Sequence, residues 1–285
     1  MKKNYLLSVL LLLAVSVSAK NLQAYLSYAT FTSPSDGPYI ETYLSVVGKT
    51  VKFVKNSNDK FQATIQISMI FRQNDTVKQF KKIDLLSPEI EDTSKISFTF
   101  IDQQRFSLPN GDYDVEISIL DLNKKGMLPY KTTESISIDF PVDKICVSGI
   151  QLVESYVKSE TENTLTKNGY DLVPFTLNFY PSTINNLTFY AEIYNTDKVF
   201  KADDKFIVNN FIESFETKKT LSNYFKFKKE VPKNVIVCFN EFDISNLPSG
   251  NYNLVIEIKD KDNKILAFNK LFFQRSNPDI KIDMQ

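Results

Sequence analysis

Apolar residues alternate with polar ones along much of this chain, which is the pattern of a half-buried β-strand. The clearest case is residues 61–71, where every second residue is apolar. A helix would scatter those side chains around its axis, whereas a strand places all of them on one face. A shorter alternating run covers residues 95–106, and residues 235–242 are a further strand candidate. Helical periodicity is almost absent.

The spacing of these runs indicates the fold class. Between residues 22 and 140, about eight strands follow one another at roughly 8–15-residue intervals, with breakers such as those at 33–38 between them. The second half repeats this rhythm from residue 146 to residue 274. Such a succession is typical of antiparallel β-sandwiches. The sequence therefore predicts an all-β protein with two tandem immunoglobulin-like antiparallel β-sandwich domains.

One stretch of the chain occurs twice. Residues 108–121 and 247–260 align without a gap, and both read Leu-Pro-x-Gly-x-Tyr followed by an alternating strand that ends in Asp. In immunoglobulin-like sandwiches a tyrosine near the start of a late strand bonds its hydroxyl back to the preceding corner. The glycine permits a turn that other residues would strain, and the proline ends pairing of the preceding strand. We therefore assign structural roles to Leu108, Pro109, Gly111, Tyr113, Asp121, Leu247, Pro248, Gly250, Tyr252 and Asp260.

A second echo lies upstream of each repeated corner. Tyr39-Ile-Glu41-Thr-Tyr43 matches Tyr190-Ala-Glu192-Ile-Tyr194, and the order of the two motifs is the same in both halves. This order predicts a duplicated domain. A pair of carboxylates can serve hydrolysis at roughly 5–9 Å separation, but these two glutamates fall in different predicted domains. We therefore expect each of them to be exposed or paired across a strand.

The chain divides into four predicted segments. Residues 1–19 have a basic start, an apolar stretch and a small-residue cleavage site, which indicate an export signal peptide. Residues 20–141 and 145–278 form the two sandwiches, and the short join indicates that they abut semi-rigidly. Residues 279–285 are predicted to be a C-terminal stub. No later apolar run reaches the length of a membrane span, so we expect none after signal removal.

Within the second domain, the polar stretch 154–169 is predicted to be a long exposed loop. This loop and the turn at 33–38 are candidate binding surfaces, because paired sandwiches bind through terminal loops or by offering an edge strand. Ser155 and Lys158 have the spacing of a Ser-x-x-Lys catalytic motif, but the β-rich context argues against that chemistry.

Composition excludes several classes of function. The chain has no His, which removes Ser-His-Asp catalysis and His-ligated zinc, and no Trp, although 14 Tyr and 23 Phe remain. The 34 basic residues balance 34 acidic ones, so no basic face for nucleic acid is indicated. The acidic turns after Asp121 and Asp260 place Lys at the fifth position, where a calcium loop needs an oxygen ligand. We therefore expect solvated hairpins there, and no cofactor, metal site or enzymatic activity.

Cys146 and Cys238 are the only cysteines. Each lies in an apolar, strand-like run, and a first and a fifth strand of a sandwich are not usually adjacent. Their Cα atoms would then be farther apart than the roughly 4.4–6.8 Å that a disulfide needs. We expect two buried free thiols, with a disulfide as the alternative in an oxidising compartment.

Several of these motifs together resemble a known family. They are residues 22–26 and 37–44, the repeated corners, Asp139-Phe140, the second tyrosine echo and residues 273–278. The set is similar to the N-terminal region of Bacteroidetes exported proteins named for a Gly-Trp-x-Thr-Asp motif. The naming motif itself cannot be present, because the chain has no Trp. The resemblance implies an exported two-sandwich architecture, in the periplasm or on the cell surface, and it supplies no catalytic residue or ligand.

The leading hypothesis is an exported, non-enzymatic interaction or scaffold module of a Gram-negative cell envelope, with other envelope proteins as partners. The alternative is carbohydrate or peptidoglycan binding through aromatic-lined loops, which the abundance of Tyr and Phe favours.

Overall fold

A computed structural model describes residues 22–280 of the protein. The predicted signal peptide, residues 1–19, and residues 281–285 of the predicted C-terminal stub lie outside the described residues. Within the described part, no helix is long and apolar enough to cross a membrane.

Strands dominate both halves of the chain. Those of the first half are β1 (Ala24–Ser33), β2 (Gly37–Val47), β3 (Val54–Lys55), β4 (Phe61–Gln62), β5 (Thr64–Gln73), β6 (Thr76–Leu86), β7 (Thr99–Ser107), β8 (Gly111–Asp121) and β9 (Tyr130–Ile138). Those of the second half are β10 (Cys146–Val147), β11 (Gln151–Lys158), β12 (Thr166–Lys167), β13 (Tyr170–Pro174), β14 (Phe179–Pro181), β15 (Asn186–Tyr194), β16 (Phe206–Ser214), β17 (Thr220–Glu230), β18 (Val235–Asp243), β19 (Gly250–Lys259) and β20 (Ile265–Ser276). Short helical turns lie at Gly48–Thr50, Thr93–Lys95 and α1 (Thr196–Val199).

The first half forms one sandwich of two main sheets. One sheet has the order β1-β2-β7 and the other the order β6-β5-β8-β9, while β3 and β4 form a separate hairpin. The second half forms another sandwich, with one sheet ordered β10-β15-β11-β13-β12, where β18 also pairs with β15, and one ordered β14-β20-β19-β16-β17. The prediction of an all-β, immunoglobulin-like tandem fold is confirmed.

The two sandwiches share their pairing scheme. In the first half β2 pairs with β7, β5 with β6 and β8, and β8 with β9. In the second half the corresponding pairs are β15 with β18, β16 with β17 and β19, and β19 with β20. Each pairing is antiparallel. The repeated motifs therefore occupy equivalent strands, β2 and β15 for the tyrosine echo and β8 and β19 for the corner.

Each sandwich has its own apolar core. The first is built from alternate residues of the paired strands, including Ile65, Ile67, Met69 and Phe71 of β5. The second includes Phe189, Ala191 and Ile193 of β15 and Leu254, Ile256 and Ile258 of β19. These side chains come from the period-two runs of the sequence, because alternate residues of a strand point to the same face.

The repeated corners have the same hydrogen bond. The Tyr113 hydroxyl donates to the Pro109 carbonyl at 2.8 Å, and the Tyr252 hydroxyl donates to the Pro248 carbonyl at 3.0 Å. Leu108 and Leu247, which begin the two corners, are both buried. Each tyrosine thereby satisfies a corner carbonyl that its own sheet does not use.

The two corner glycines are needed for different reasons. Gly111 has a φ of +152° and a Cβ there would meet Gln73 Nε2 at 2.3 Å. Gly250 has no such backbone, so the predicted turn strain is wrong at that position. Instead, a Cβ on Gly250 would touch the Tyr252 hydroxyl at 3.0 Å. The second glycine makes room for the tyrosine ring.

The acidic ends of the repeated strands also differ from each other. Asp121 is buried and accepts hydrogen bonds from the backbone N–H groups of Lys52 and Asn123, so the prediction of a solvated turn is wrong there. Asp260 accepts from the N–H groups of Asp262 and Lys264 within an exposed hairpin. Both carboxylates hold loop backbone, which is the common use of Asp in turns.

Cys146 and Cys238 are free thiols. They pair with β15 from opposite sides, Cys146 opposite Tyr194 and Cys238 opposite Ala191, so a whole strand separates them. Two strand spacings amount to roughly 9–10 Å, which exceeds the reach of a disulfide. Burial raises the pKa of Cys146 to about 11 and that of Cys238 to about 12. Cys146 is half-buried rather than fully buried, so that part of the expectation is wrong.

Candidate functional site

The two copies of the tyrosine echo lie at the interface between the sandwiches. In β2, Ile40 and Leu44 face the first core, and therefore Glu41 and Tyr43 face away from it. Strand β15 likewise turns its odd-numbered residues into the second core and Tyr190 outward. These outward faces meet in a third apolar cluster, which consists of Ala29, Phe31, Tyr43, Val153, Leu172 and Tyr190. The cluster joins both halves of the chain.

A buried carboxylate lies at the centre of this interface. Glu41 is 0% exposed and its Oε2 lies 2.7 Å from Lys167 Nζ of the second sandwich. Its Oε1 accepts from Arg105 Nε at 2.5 Å, and the Tyr43 hydroxyl donates to Oε2 at 2.6 Å. Burial acts to raise the pKa of Glu41, but the charges of Lys167 and Arg105 outweigh it and the pKa lies below its usual range. The carboxylate is therefore ionised and surrounded by donors.

Lys167 reaches Glu41 between aromatic rings. The residue is 6% exposed, and its Nζ lies 3.4 Å from the ring centroid of Phe31 and 5.1 Å from that of Tyr190. Burial lowers the pKa of Lys167 to about 8, although Glu41 acts in the opposite direction. The faces of Phe31 and Tyr190 carry negative charge density that favours an ammonium group. Together with Glu41 they compensate for the lost hydration of the lysine.

The second glutamate has a matching arrangement. The hydroxyls of Tyr190 and Tyr194 donate to the two oxygens of Glu192, each at 2.5 Å. Burial, followed by the charge of Glu192, raises the pKa of both tyrosines above its ordinary value. The Tyr194 hydroxyl also accepts from the N–H of Thr32 in β1, at 3.1 Å. The second echo thus holds the first sandwich through a backbone hydrogen bond.

Both glutamates are therefore part of one interface, which the sequence reasoning did not foresee. Of the two alternatives expected for Glu41, exposed or paired across a strand, the second holds, because Glu41 is buried and pairs with Arg105 across the β2–β7 register. Strand β2 is buried on both faces from Ile40 to Val46. The sequence signal for this is that aromatic residues stand at outward positions of the strand. A strand whose outward positions are aromatic is covered on that side as well.

A tight hairpin positions Lys167. It is the last residue of β12 and lies opposite Tyr170 of β13, with only Asn168 and Gly169 between them. Both connecting residues have positive φ, +48° and +80°, as a type I′ turn requires. The predicted loop over 154–169 is therefore wrong, since this stretch contributes to β11 and forms β12. The Asn-Gly dipeptide is the signal that could have revealed the hairpin.

Further hydrogen bonds to backbone carbonyls join the two sandwiches. The Gly149 N–H donates to the Thr30 carbonyl at 2.7 Å, and a Cβ on Gly149 would lie 2.5 Å from the Thr30 nitrogen. The join is also fixed, because Asn195 Nδ2 donates to the carbonyls of Pro141 at 2.8 Å and Lys144 at 3.1 Å. These contacts agree with two abutted domains rather than a flexible pair.

We call the Glu41–Lys167 pair and the apolar cluster around it the joint, because they connect the two sandwiches. Glu41 and Lys167 are buried within the third apolar cluster, so they do not face the solvent from which a substrate would come. Among residues 22–280, no three Cys, Asp or Glu side chains gather as a group that could hold a metal ion. The cluster can fix the relative orientation of the two sandwiches.

Beside the joint, a groove of about 720 Å³ runs between the sandwiches. One wall is the start of β1, from Ala24 to Thr30, and the opposite wall is formed by residues 175–178 and by 269–272 of β20. Lys270 is the single charged residue among those that line it, and it is paired with Glu213 at 2.8 Å. The groove is therefore an open, nearly uncharged surface between the two sandwiches.

Comparison with known proteins adds only remote likeness. No profile of a known protein family and no curated protein matches the chain. Solved structures with similar β-architecture include fibronectin(III)-like modules of Clostridium thermocellum CbhA, with 9% identity, a TM-score of 0.22, and 87% of this chain and 90% of that one covered. Another is a Bacteroides uniformis β-glucuronidase, with 9% identity and a TM-score of 0.27; the alignment covers 81% of this chain but only 26% of the enzyme. Likeness at this level carries no inference about activity.

The joint predicts a large effect for Lys167→Met. The substitution leaves the Glu41 carboxylate without its buried cation. Breaking a buried pair in this way costs about 3–5 kcal/mol of unfolding free energy. Chemical denaturation of the purified mature protein would measure it. As a matched control, Lys228→Met removes the exposed pair with Glu230 and should change stability by less than about 1 kcal/mol. Equal effects of the two substitutions would contradict the assigned role of Lys167.

The Glu41 carboxylate also predicts a pH dependence. Its pKa is lower in the folded state than in the unfolded chain, so the unfolded state binds more protons in acid. The stability that it contributes is complete above the unfolded pKa of about 4.3 and is lost as pH falls through the folded value. The difference in unfolding free energy between the native protein and Glu41→Gln should therefore shrink in acid. A difference that stays constant between pH 7 and pH 3 would exclude this linkage.

Proposed function

We propose that the protein is a non-enzymatic interaction module of the cell envelope, in which two sandwiches act as one rigid body. The observation that carries the proposal is the burial of Glu41 and Lys167 between the two sandwiches. These two residues are paired with each other across the boundary between the sandwiches, and they join the domains. The surface left for function consists of sheet edges, loops and the groove.

The predicted export signal also supports a place in the cell envelope. The basic and apolar start of the sequence is that of a signal peptide, and the motif resemblance points to exported proteins of Bacteroidetes. A rigid pair of sandwiches suits a scaffold, because fixing the relative orientation beforehand lowers the entropy cost of a two-domain contact. We place the protein in the periplasm or on the cell surface, with other envelope proteins as partners.

Carbohydrate binding is the second candidate, and one surface cluster favours it. The rings of Tyr156, Tyr170 and Phe239 lie 4.8–6.0 Å apart by their centroids, and Tyr156 is 46% exposed. They lie on strands β11, β13 and β18 rather than on loops. Tyr156 is nearly perpendicular to both neighbours, at 78° and 80°, so the three rings do not form the flat platform on which a sugar ring stacks.

A paired experiment separates the two functions. The mature protein is screened on a glycan array and against purified peptidoglycan. In parallel, a photo-crosslinking amino acid is placed on each exposed face in turn, in cells that carry the protein in their envelope. We expect discrete crosslinked protein adducts from one face and no glycan hit. Specific glycan binding that Tyr156→Ala abolishes, with no protein adduct from any face, would overturn the proposal.

A further inference from the structure

Strand β1 has one edge that the sheet leaves free. It is the terminal strand of the order β1-β2-β7 and pairs only with β2, in an unbroken register from Ala24 to Ser33. The Thr30 carbonyl and the Thr32 N–H are used by the second sandwich, so the backbone groups of even-numbered residues point outward. In an antiparallel strand this direction alternates strictly. The N–H and C=O groups of Ala24, Leu26 and Tyr28 therefore point out of the sheet as well.

These outward groups lack partners within the protein. Among residues 22–280, no acceptor takes a hydrogen bond from the outward backbone N–H of Leu26 or Tyr28. The open edge covers five residues, which corresponds to about 17 Å of strand. Such an edge presents the donors and acceptors on which another extended chain can pair.

The strand that forms the free edge also lacks charged residues. Strand β1 reads Ala-Tyr-Leu-Ser-Tyr-Ala-Thr-Phe-Thr-Ser and contains no charged residue and no proline. Proteins usually protect their edges with charges, lysine above all. The other long edge strands follow that rule, with Lys78, Lys81 and Lys82 in β6, Asp102 and Arg105 in β7, Lys131 and Glu134 in β9, Lys226, Lys228 and Lys229 in β17, and Glu241 and Asp243 in β18.

Apolar space lies directly behind this edge. A cavity of about 380 Å³ opens between β1 and β9 into the first sandwich. Its walls are mostly apolar and include Leu26, Ile40 and Ile117, and Glu134 of β9 is the one charged residue among them. A strand added beside β1 would direct every second side chain into this cavity. The other side chains would lie in the nearly uncharged groove. Each space has one charged residue in its lining, Glu134 in the cavity and the paired Lys270 in the groove. This low charge suits an uncharged segment and disfavours nucleic acid or an acidic peptide.

One buried side chain in the groove has polar atoms without hydrogen-bond partners among the described residues. Gln151 lines it, is 2% exposed, and has no hydrogen-bond partner at either Oε1 or Nε2 among the described residues. A buried amide without partners is rare in folded proteins and calls for an explanation. A primary amide matches the donor and acceptor of a peptide backbone. An extended occupant would supply the groups that Gln151 lacks.

We propose that the free edge of β1, from Ala24 to Tyr28, receives an extended uncharged segment of a partner protein, which adds to the sheet as a further strand. Its alternate apolar side chains fill the cavity between β1 and β9. This assignment rests on the proposed role as an interaction module and gives that module a binding surface.

The test uses heptapeptides selected from a phage-displayed library against the mature protein, then synthesised with capped ends. We expect the selected sequences to alternate large apolar residues with small polar ones and to lack charge. Amide hydrogen exchange, resolved by residue, reads the binding mode. The amides of Leu26 and Tyr28 should slow at least about tenfold with peptide bound, whereas those of Tyr25 and Ser27, already bonded to β2, should not change.

Two substitutions complete the test. Leu26→Pro removes one outward N–H and keeps an apolar side chain, which an edge strand tolerates. Ser27→Lys places a charge in the groove. Each should weaken peptide binding at least about tenfold, or about 1.4 kcal/mol. Ser222→Lys on the edge strand β17 is the matched control and should leave affinity unchanged. If Leu26→Pro lowers the melting temperature, Ser27→Lys and the exchange pattern decide.

The outcomes are distinct. Peptides that bind with no protection at Leu26 and Tyr28, or that tolerate Ser27→Lys, would overturn this site. Protection of the same amides on self-association alone, seen by sedimentation, would assign the edge to a second copy of the chain and would also overturn the proposal. Envelope adducts that form only on other faces would reject this site and leave the proposed function standing.

Discussion

The structure depends on one buried ion pair between its two halves. Glu41 and Lys167 come from different sandwiches, and each would be costly to bury without the other. Arg105, Tyr43 and the ring of Phe31 complete their surroundings. Because a buried charge must be matched in position as well as in sign, the pair accepts only one relative placement of the domains.

The joint also gives the repeated tyrosine motif a physical role. Both copies of the Tyr-x-Glu-x-Tyr motif lie on the outward face of an equivalent strand, β2 or β15, and the two faces meet. The two equivalent strands present similar faces, and the second copy of the motif contacts the first sandwich through the hydrogen bond from the Thr32 N–H to the Tyr194 hydroxyl. Where the second sandwich stops covering β1, the strand becomes a free edge. The joint and the proposed binding edge are thus adjacent parts of one strand.

Much of the fold could be predicted from the sequence, but the joint could not. Period-two alternation in residues 61–71 and the repeated corner depend on local patterns, which a sequence displays directly. The partnership of Glu41 with Lys167 depends on the packing of two domains, and no local pattern encodes it. Lys167 lies in a polar stretch, and the Asn-Gly dipeptide that follows it indicates a hairpin but not the partner of the lysine. Likewise, the free edge of β1 becomes visible only once the order of strands in the sheet is known.

The most direct test of the account is whether the two sandwiches tumble as one body through the Glu41–Lys167 pair. Backbone N–H residual dipolar couplings of the mature protein, fitted for each sandwich separately, measure this. We predict a single alignment tensor for both sandwiches in the native protein and tensors of unequal magnitude in Lys167→Met, with each sandwich still folded. Unequal tensors in the native protein, or one shared tensor in Lys167→Met, would contradict the central role of this ion pair.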